Sequence, residues 1–232
     1  MCGRYTVTAK PKDIEARFEV EVPDTYTPRF NAAPTQLLPV ITSEHPDGLS
    51  FFFWGLIPEW SKSKAVSVKL FNAQAETLNE KPTFKRALEK HRCIVPADSF
   101  YEWKRVSKKS RIPYRFLLNN GSIFSFAGLW EEFEDDNDEI VHTFTIITTT
   151  PNGVVASVHD RMPVILTPSS EKIWLDEDSS SDQIIDILQP YKSDAMTSYT
   201  VSSLVNNVSN DSESLIAPSA PADQFGNYSL FD

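Results

Sequence analysis

Short strand-like runs, separated by turns and a few helical stretches, are what most limits how this chain can fold. The runs at 36–42, 49–54, 92–96, 114–118, 122–129, 142–148 and 162–166 are mostly apolar, with the β-branched and aromatic residues that suit a pleated, half-buried surface. A last strand is expected at 197–201. Helices are expected at 11–20, where Ile14, Ala16, Phe18 and Val20 are interleaved with charge, and at 82–91, where Pro82 opens the first turn and Phe84, Ala87 and Leu88 share a side. Two more, at 169–175 and 181–188, have Ser at or near their N-caps. Asn119-Asn120-Gly121 falls between two of the runs and signals a hairpin turn. Strands and helices do not alternate in a βαβ rhythm, and no long internal repeat is present. The expected architecture is therefore α+β: one domain over 1–216, built on antiparallel, barrel-like or sandwiched sheets with inserted helices. Residues 217–232 are expected to form an extended tail.

The chain has 232 residues, 41% of them hydrophobic, enough for a sizeable core. Two cysteines cannot make a disulfide framework, and Cys93, inside the apolar run Cys93-Ile94-Val95-Pro96, reads as a small core residue. The first residues have no apolar signal-peptide region, and the longest apolar stretch, 51–58, is too short to span a bilayer. These features predict a cytoplasmic monomer with no membrane partner.

A formal charge of −10 argues at first against a polyanionic partner. The charge is unevenly spread, however. Residues 60–115 hold 14 basic and 5 acidic residues, whereas the acids concentrate after residue 130. Local fields, not the net charge, decide where a polyanion docks. Seven carboxylates crowd into 131–139, which reads as a solvated hairpin loop because like charges resist compact folding. That run lacks the spacing and turn glycine of a calcium loop, and no metal or organic cofactor is expected.

The reactive groups are few: four histidines and one unusually placed cysteine. Cys2 follows the initiator Met, which is removed before small second residues. A mature N-terminal Cys carries an amine of pKa about 8 and a thiol of about 8.5, so both are partly nucleophilic near neutrality. The pair suits aldehydes, since the amine condenses to an imine and the thiol then closes a five-membered thiazolidine. The same group also suits an N-terminal nucleophile acting on an acyl carbon.

Six strings occur in order: Met1-Cys2-Gly3-Arg4-Tyr5, Arg29-Phe30-Asn31-Ala32-Ala33-Pro34, Trp54-Gly55-Leu56-Ile57-Pro58-Glu59-Trp60, Asn72-Ala73-Gln74-Ala75-Glu76-Thr77, Cys93-Ile94-Val95-Pro96-Ala97-Asp98-Ser99-Phe100-Tyr101-Glu102-Trp103 and His159-Asp160-Arg161-Met162-Pro163. Together they resemble the SOS response-associated peptidase (SRAP) family, from Cys2 to about Val208. One such string is weak; six in register are specific. The resemblance implies a protein that shields abasic sites in single-stranded DNA by crosslinking its N-terminal cysteine to the ring-opened sugar aldehyde. It also implies an associated lyase-type β-elimination and loss of Met1.

By position, Cys2, Asn72, Glu102 and His159 match the family's active-site residues. His159 suits proton transfer near neutrality. Glu102 is placed to accept a proton from the Cys2 amine and steady an iminium, and sugar-ring opening falls to Glu102 or His159. Asn72 would orient the N-terminus without charge. For DNA, the resemblance implies Arg4 and Arg161 at phosphates, Trp103 under a base, Pro34 and Trp60 beside the lesion, and Thr148 near a phosphate. Gln74 stands where the family usually has Arg. A Gln offers no charged fork, so weaker or more salt-sensitive DNA binding is expected. Two other readings stand beside this one. A cysteine peptidase or amidase would use Cys2 with His159 and Glu102, and a non-catalytic reader of single strands would use only the basic stretch.

Overall fold

Runs this short cannot bury their apolar faces alone, so they pair across the chain into two sheets. The computed structural model describes residues 2–61, 70–135 and 137–228. Among these the order is β1 (Tyr5–Val7), α1 (Pro11–Phe18), β2 (Arg29–Ala32), β3 (Leu37–Thr42), β4 (Ser50–Trp54), β5 (Asn72–Gln74), α2 (Pro82–Lys90), β6 (Arg92–Ala97), β7 (Ser99–Arg105), β8 (Arg111–Leu118), β9 (Phe124–Glu134), β10 (Ile140–Thr149), α3 (Gly153–Ala156), β11 (Met162–Pro163), β12 (Ile165–Leu166), α4 (Pro168–Leu175), α5 (Ser181–Asp186) and β13 (Met196–Thr200). Lys62, Lys64 and Lys69 of the basic stretch, Asp136 of the acidic run and residues 229–232 of the tail lie outside the described residues.

Strands β10, β4, β3, β6 and β9 pair in that order, and β9 pairs back onto β10. This closes a five-stranded barrel and removes its free edges. The second sheet, in the order β13-β8-β7-β1-β2, is antiparallel throughout. The architecture is α+β and mostly sheet, as the short runs predict. Two ladders depart from the antiparallel expectation, since β10 runs parallel to both β4 and β5.

Aromatic side chains join the two sheets. Tyr5 of the second sheet meets Trp54 and Phe126 of the barrel edge-on, at 5.3 and 5.8 Å between ring centroids. Phe100 stacks on Phe116 within its own sheet and reaches Phe126 at 6.2 Å. The chain passes from barrel to sheet at Asp98, between β6 and β7. There the carboxylate accepts from the Thr6 hydroxyl, the Thr8 amide and the Thr8 hydroxyl, which fixes β1 against β7. Buried Arg92 donates to the carbonyls of Leu88, Glu89, Trp174 and Asp176, closing the C-terminal ends of α2 and α4, where a cation complements the exposed carbonyl dipoles.

Several local expectations change. Asn119-Asn120-Gly121 does turn, with Gly121 at φ +67. It does not make a β-hairpin, because β8 stays in the second sheet while β9 enters the barrel. The acidic run is strand as far as Glu134, and Glu131 is buried with its carboxylate 3.4 Å from His91. Residues 162–166 divide into two strands at Val164, one pairing with β10 and the other with β9. β1, β2, β5 and β7 lack the long apolar runs that mark the other strands.

Residues 217–228 do not leave the surface. Pro218 bridges to Val201, the Ser219 amide donates to Thr200, and Gln224 bonds to both Lys109 and Arg111.

Candidate active site

The register of β1 against β7 builds the site. Tyr5 pairs with Phe100, and the Tyr101 amide donates to the Arg4 carbonyl at 3.0 Å. The antiparallel continuation carries the first residues along the half of β7 that holds Glu102. Cys2 is fully buried. Its thiol is pushed well up from its ordinary value, first by burial and then by the charge of Glu102.

Glu102 is buried too, because β7 is covered on both faces by its neighbours. Its Oε1 has no hydrogen-bond partner among the described residues. Burial, with the charge of Asp160 adding to it, pushes this carboxyl up to about 7. A carboxyl raised this far suits proton exchange near neutral pH.

His159 follows α3, whose N-cap Asn152 accepts from the Val154 and Val155 amides. The His159 amide then donates to the Val155 carbonyl, which holds the residue against that turn. On the ring, Nε2 lies 3.7 Å from Glu102 Oε2. Nδ1 lies 3.0 Å from the Arg161 amide, 3.1 Å from the Arg161 carbonyl and 3.2 Å from Asp160 Oδ1, so on the neutral ring the tautomer sets whether Nδ1 accepts or donates there. Burial pushes the imidazole below its ordinary value, favouring that neutral form at pH 7. The other histidines serve elsewhere: His91 and His142 stack on Trp130 and Phe52, and His45 is in an exposed loop.

Asn72 opens β5 opposite Ile146 of β10. Its Nδ2 donates to the Phe71 carbonyl, and its buried Oδ1 has no partner among the described residues. The structure thus brings Cys2, Glu102 and His159 together and ties Asn72 to Phe71. Two buried acceptors, Asn72 Oδ1 and Glu102 Oε1, have no hydrogen-bond partner among the described residues. Such groups cost about 1–3 kcal/mol each and recur where chemistry is done.

Two clefts open here. One, of about 420 Å³, is lined by Glu102, Trp103, Arg105, Arg111, His159 and Asp160. The other, of about 520 Å³, is lined by Arg4, Trp103, Lys108, Lys109, Arg111 and Gln224, among others. Trp103 and Arg111 belong to both.

The expected DNA contacts are placed unequally. Trp103 is half-buried, and its Nε1 donates to Asn206 at 2.7 Å. Trp60 is 69% exposed, while Pro34 is half-buried and Gln74 exposed. Thr148 is buried, with its hydroxyl donating to the Ala73 carbonyl. Arg4 spends its guanidinium on Asn31 and on the Val205 and Asn206 carbonyls, and lies 5.8 Å over the Trp103 ring. The Arg161 fork is filled by Glu76, at 2.8 and 2.9 Å, and also donates to the Thr148 carbonyl.

The basic stretch is also less continuous than its charge count suggests. Arg92 caps helices, Arg115 bonds to Ser99 and Tyr199, and Arg86 pairs with Glu59. Lys108, Lys109 and Arg111 remain at the cleft. Asn206, Glu76 and Gln224 carried no sequence signal of a role there, because nothing local marks a neutral side chain or a paired carboxylate as part of a site.

These features coincide with clear similarities. A family model described as SOS response associated peptidase (SRAP) matches residues 1–208. The abasic site processing protein YoqW of Bacillus subtilis is 45% identical over 221 residues, covering 93% of this chain and 99% of that protein. The abasic site processing protein HMCES of Rattus norvegicus is 30% identical over 236 residues, covering 84% of this chain and 66% of its own length. A crystal structure of a protein from Bacteroides thetaiotaomicron superposes with a TM-score of 0.85 at 29% identity, covering 94% of this chain and 100% of that one. Sequence strings, fold and match extent agree, and the chain belongs to the SRAP family.

Proposed function

We propose that this chain processes abasic sites in single-stranded DNA by forming a thiazolidine on Cys2 once Met1 is removed. The observation that carries this reading is a buried carboxyl, Glu102, set between a buried thiol and an imidazole. The thiol of Cys2 senses the charge of Glu102, and His159 faces the same carboxyl at 3.7 Å, with a cleft opening on both. The names of the relatives support it.

The steps balance as follows. His159 and Glu102 move a proton onto the sugar ring oxygen and take one from the anomeric hydroxyl, which opens the ring. The freed Cys2 amine attacks the aldehyde carbon, and the carbonyl oxygen leaves as water after accepting two protons. The carboxylate of Glu102 steadies the iminium. Cys2 Sγ then bonds to the iminium carbon, its proton passes to Glu102, and the nitrogen becomes a neutral secondary amine. The net reaction joins aldehyde and aminothiol with loss of one water. Loss of a proton from the carbon next to the iminium is instead the route to β-elimination and strand cleavage. Asn72 orients the N-terminus through its free Oδ1.

On the DNA side, Trp103 stacks a base, Pro34 and Trp60 border the lesion, and Arg4, Arg161 and Gln74 follow the backbone, whereas Thr148 is buried and holds Arg161 through its carbonyl instead of meeting a phosphate. A phosphate at Arg161 shares the fork with Glu76 or displaces it.

The test uses an oligonucleotide with one abasic site. The expected product survives denaturing electrophoresis, has the summed mass minus one water and Met1, and is abolished in Cys2→Ala. Equal retention of undamaged DNA, or a competent protein that keeps Met1, would sink the reading.

A further inference from the structure

The family match ends at residue 208, yet a later segment lines the basic cleft. Gln224 sits in the wall with Arg4, Trp103, Lys108, Lys109 and Arg111. It is held by its amide on both sides: Oε1 accepts from the Arg111 amide at 2.8 Å, and Nε2 donates to the Lys109 carbonyl. Two backbone bonds from one side chain pin this segment to the β7–β8 turn.

The segment itself is a built turn. The Asp223 carboxylate accepts from the Phe225 and Asn227 amides, both at 2.9 Å, and from Asn227 Nδ2 at 3.3 Å. The Gly226 amide donates to the Asp223 carbonyl at 2.9 Å, with Gly226 at φ +82, a conformation glycine adopts without strain. Ala222 bridges to Tyr228 across the turn.

This hydrogen-bonded turn presents aromatic rings to solvent instead of burying them. Phe225 is 68% exposed and Tyr228 is 72% exposed. Phe225 directly follows the residue in the cleft wall. Single exposed apolar residues are ordinary. An exposed ring one residue from a cleft lined by Trp103, Lys108, Lys109 and Arg111 fits the way single strands are bound, with stacking planes set along an electropositive groove.

We infer that the turn at 223–228 is a second base-stacking platform. Phe225 takes a base of the strand whose backbone follows Lys108, Lys109 and Arg111, and Gln224 acts as the positioning residue that sets the turn. This inference rests on the single-stranded DNA reading above.

The test measures equilibrium binding of a fluorescent undamaged single-stranded oligonucleotide to the full chain across a salt series, with crosslinking of an abasic oligonucleotide in parallel. Base–aromatic stacking is worth about 1–3 kcal/mol per base, so Phe225→Ala is expected to weaken binding about tenfold without changing the salt slope. Phe225→Trp keeps or improves affinity. Lys108→Ala, by contrast, lowers the salt slope by about one. Crosslinking by the parent in the same buffers reads the function separately from the binding series. Parent-like affinity of Phe225→Ala, or tighter binding as expected of a segment that blocks the cleft, would overturn the inference while leaving the crosslinking reading intact. Failure of the parent to bind single strands at all would overturn both.

Discussion

The surroundings of the two cysteines differ in one respect that decides what each can do. Cys2 and Cys93 are both fully buried, and burial pushes both thiols well up. Cys93 lies in the barrel wall, where β6, β9 and β10 pack so closely that a Cβ on Gly128 would fall 2.9 Å from its Sγ. Burial is the only resolved cause of its shift. Cys2 lies just before β1 and feels the charge of Glu102, a buried carboxyl that lines a cleft with His159. Burial by itself therefore yields an inert core thiol. A second buried titratable group with access to a ligand gives the other thiol somewhere to send its proton.

Substitutions can break or sharpen this contrast. The largest effect is the loss of crosslinking in Cys2→Ala, while Cys93→Ala crosslinks like the parent; equal loss in both would erase the distinction. Next comes Glu102→Gln, expected to slow crosslinking about a hundredfold, the scale of a lost general acid–base. In the parent the rate should climb as pH rises towards the Glu102 value of about 7, and in Glu102→Gln that step should vanish. The same change should help the fold. The folded-state pKa of Glu102 lies above the unfolded one, so the native state holds its proton longer and loses stability as pH rises from the ordinary carboxylate range to about 7. Melting curves at pH 5 and pH 8 should show Glu102→Gln losing less stability between them than the parent. A parallel decline would mean that Glu102 ionises freely.

On the barrel side, Gly128→Ala should cost about 1–3 kcal/mol by overpacking. Adding Cys93→Ala should restore part of that loss, because it removes the sulfur contact while leaving the Thr145 carbonyl 3.1 Å away. Additive losses in denaturant unfolding would show that the two side chains do not compete for space. The smallest effect concerns Gln74, which is exposed at the end of β5. Gln74→Arg should tighten single-strand binding severalfold and steepen the salt slope by about one, the signature of one more phosphate contact. If affinity and slope match the parent's, Gln74 is not at the backbone.

What the sequence by itself determined is local. Pro82 starts α2 where expected, and α1 begins at Pro11 as read; α4 begins at Pro168 behind a Thr167 cap, one residue before the expected start and without the expected Ser cap. The apolar runs became β3, β4, β6, β9 and β10, the five barrel strands. The strings around Cys2, Glu102 and His159 pointed to residues that do lie together. Tertiary structure alone decided the rest. β5 is three residues long, and β7 is buried on both faces through Glu102, so neither shows the alternation of a half-exposed strand. A turn signal at 119–121 cannot say whether its flanking strands pair, and here they go to different sheets. Glu131 reads as solvated until His91, from the end of α2, comes within 3.4 Å of its carboxylate. Gln224 reads as tail until the β7–β8 turn offers it two backbone partners. Periodicity records which face of a segment avoids water. Which distant segment covers that face, and which buried polar atom is left unsatisfied, is fixed only when the whole chain packs.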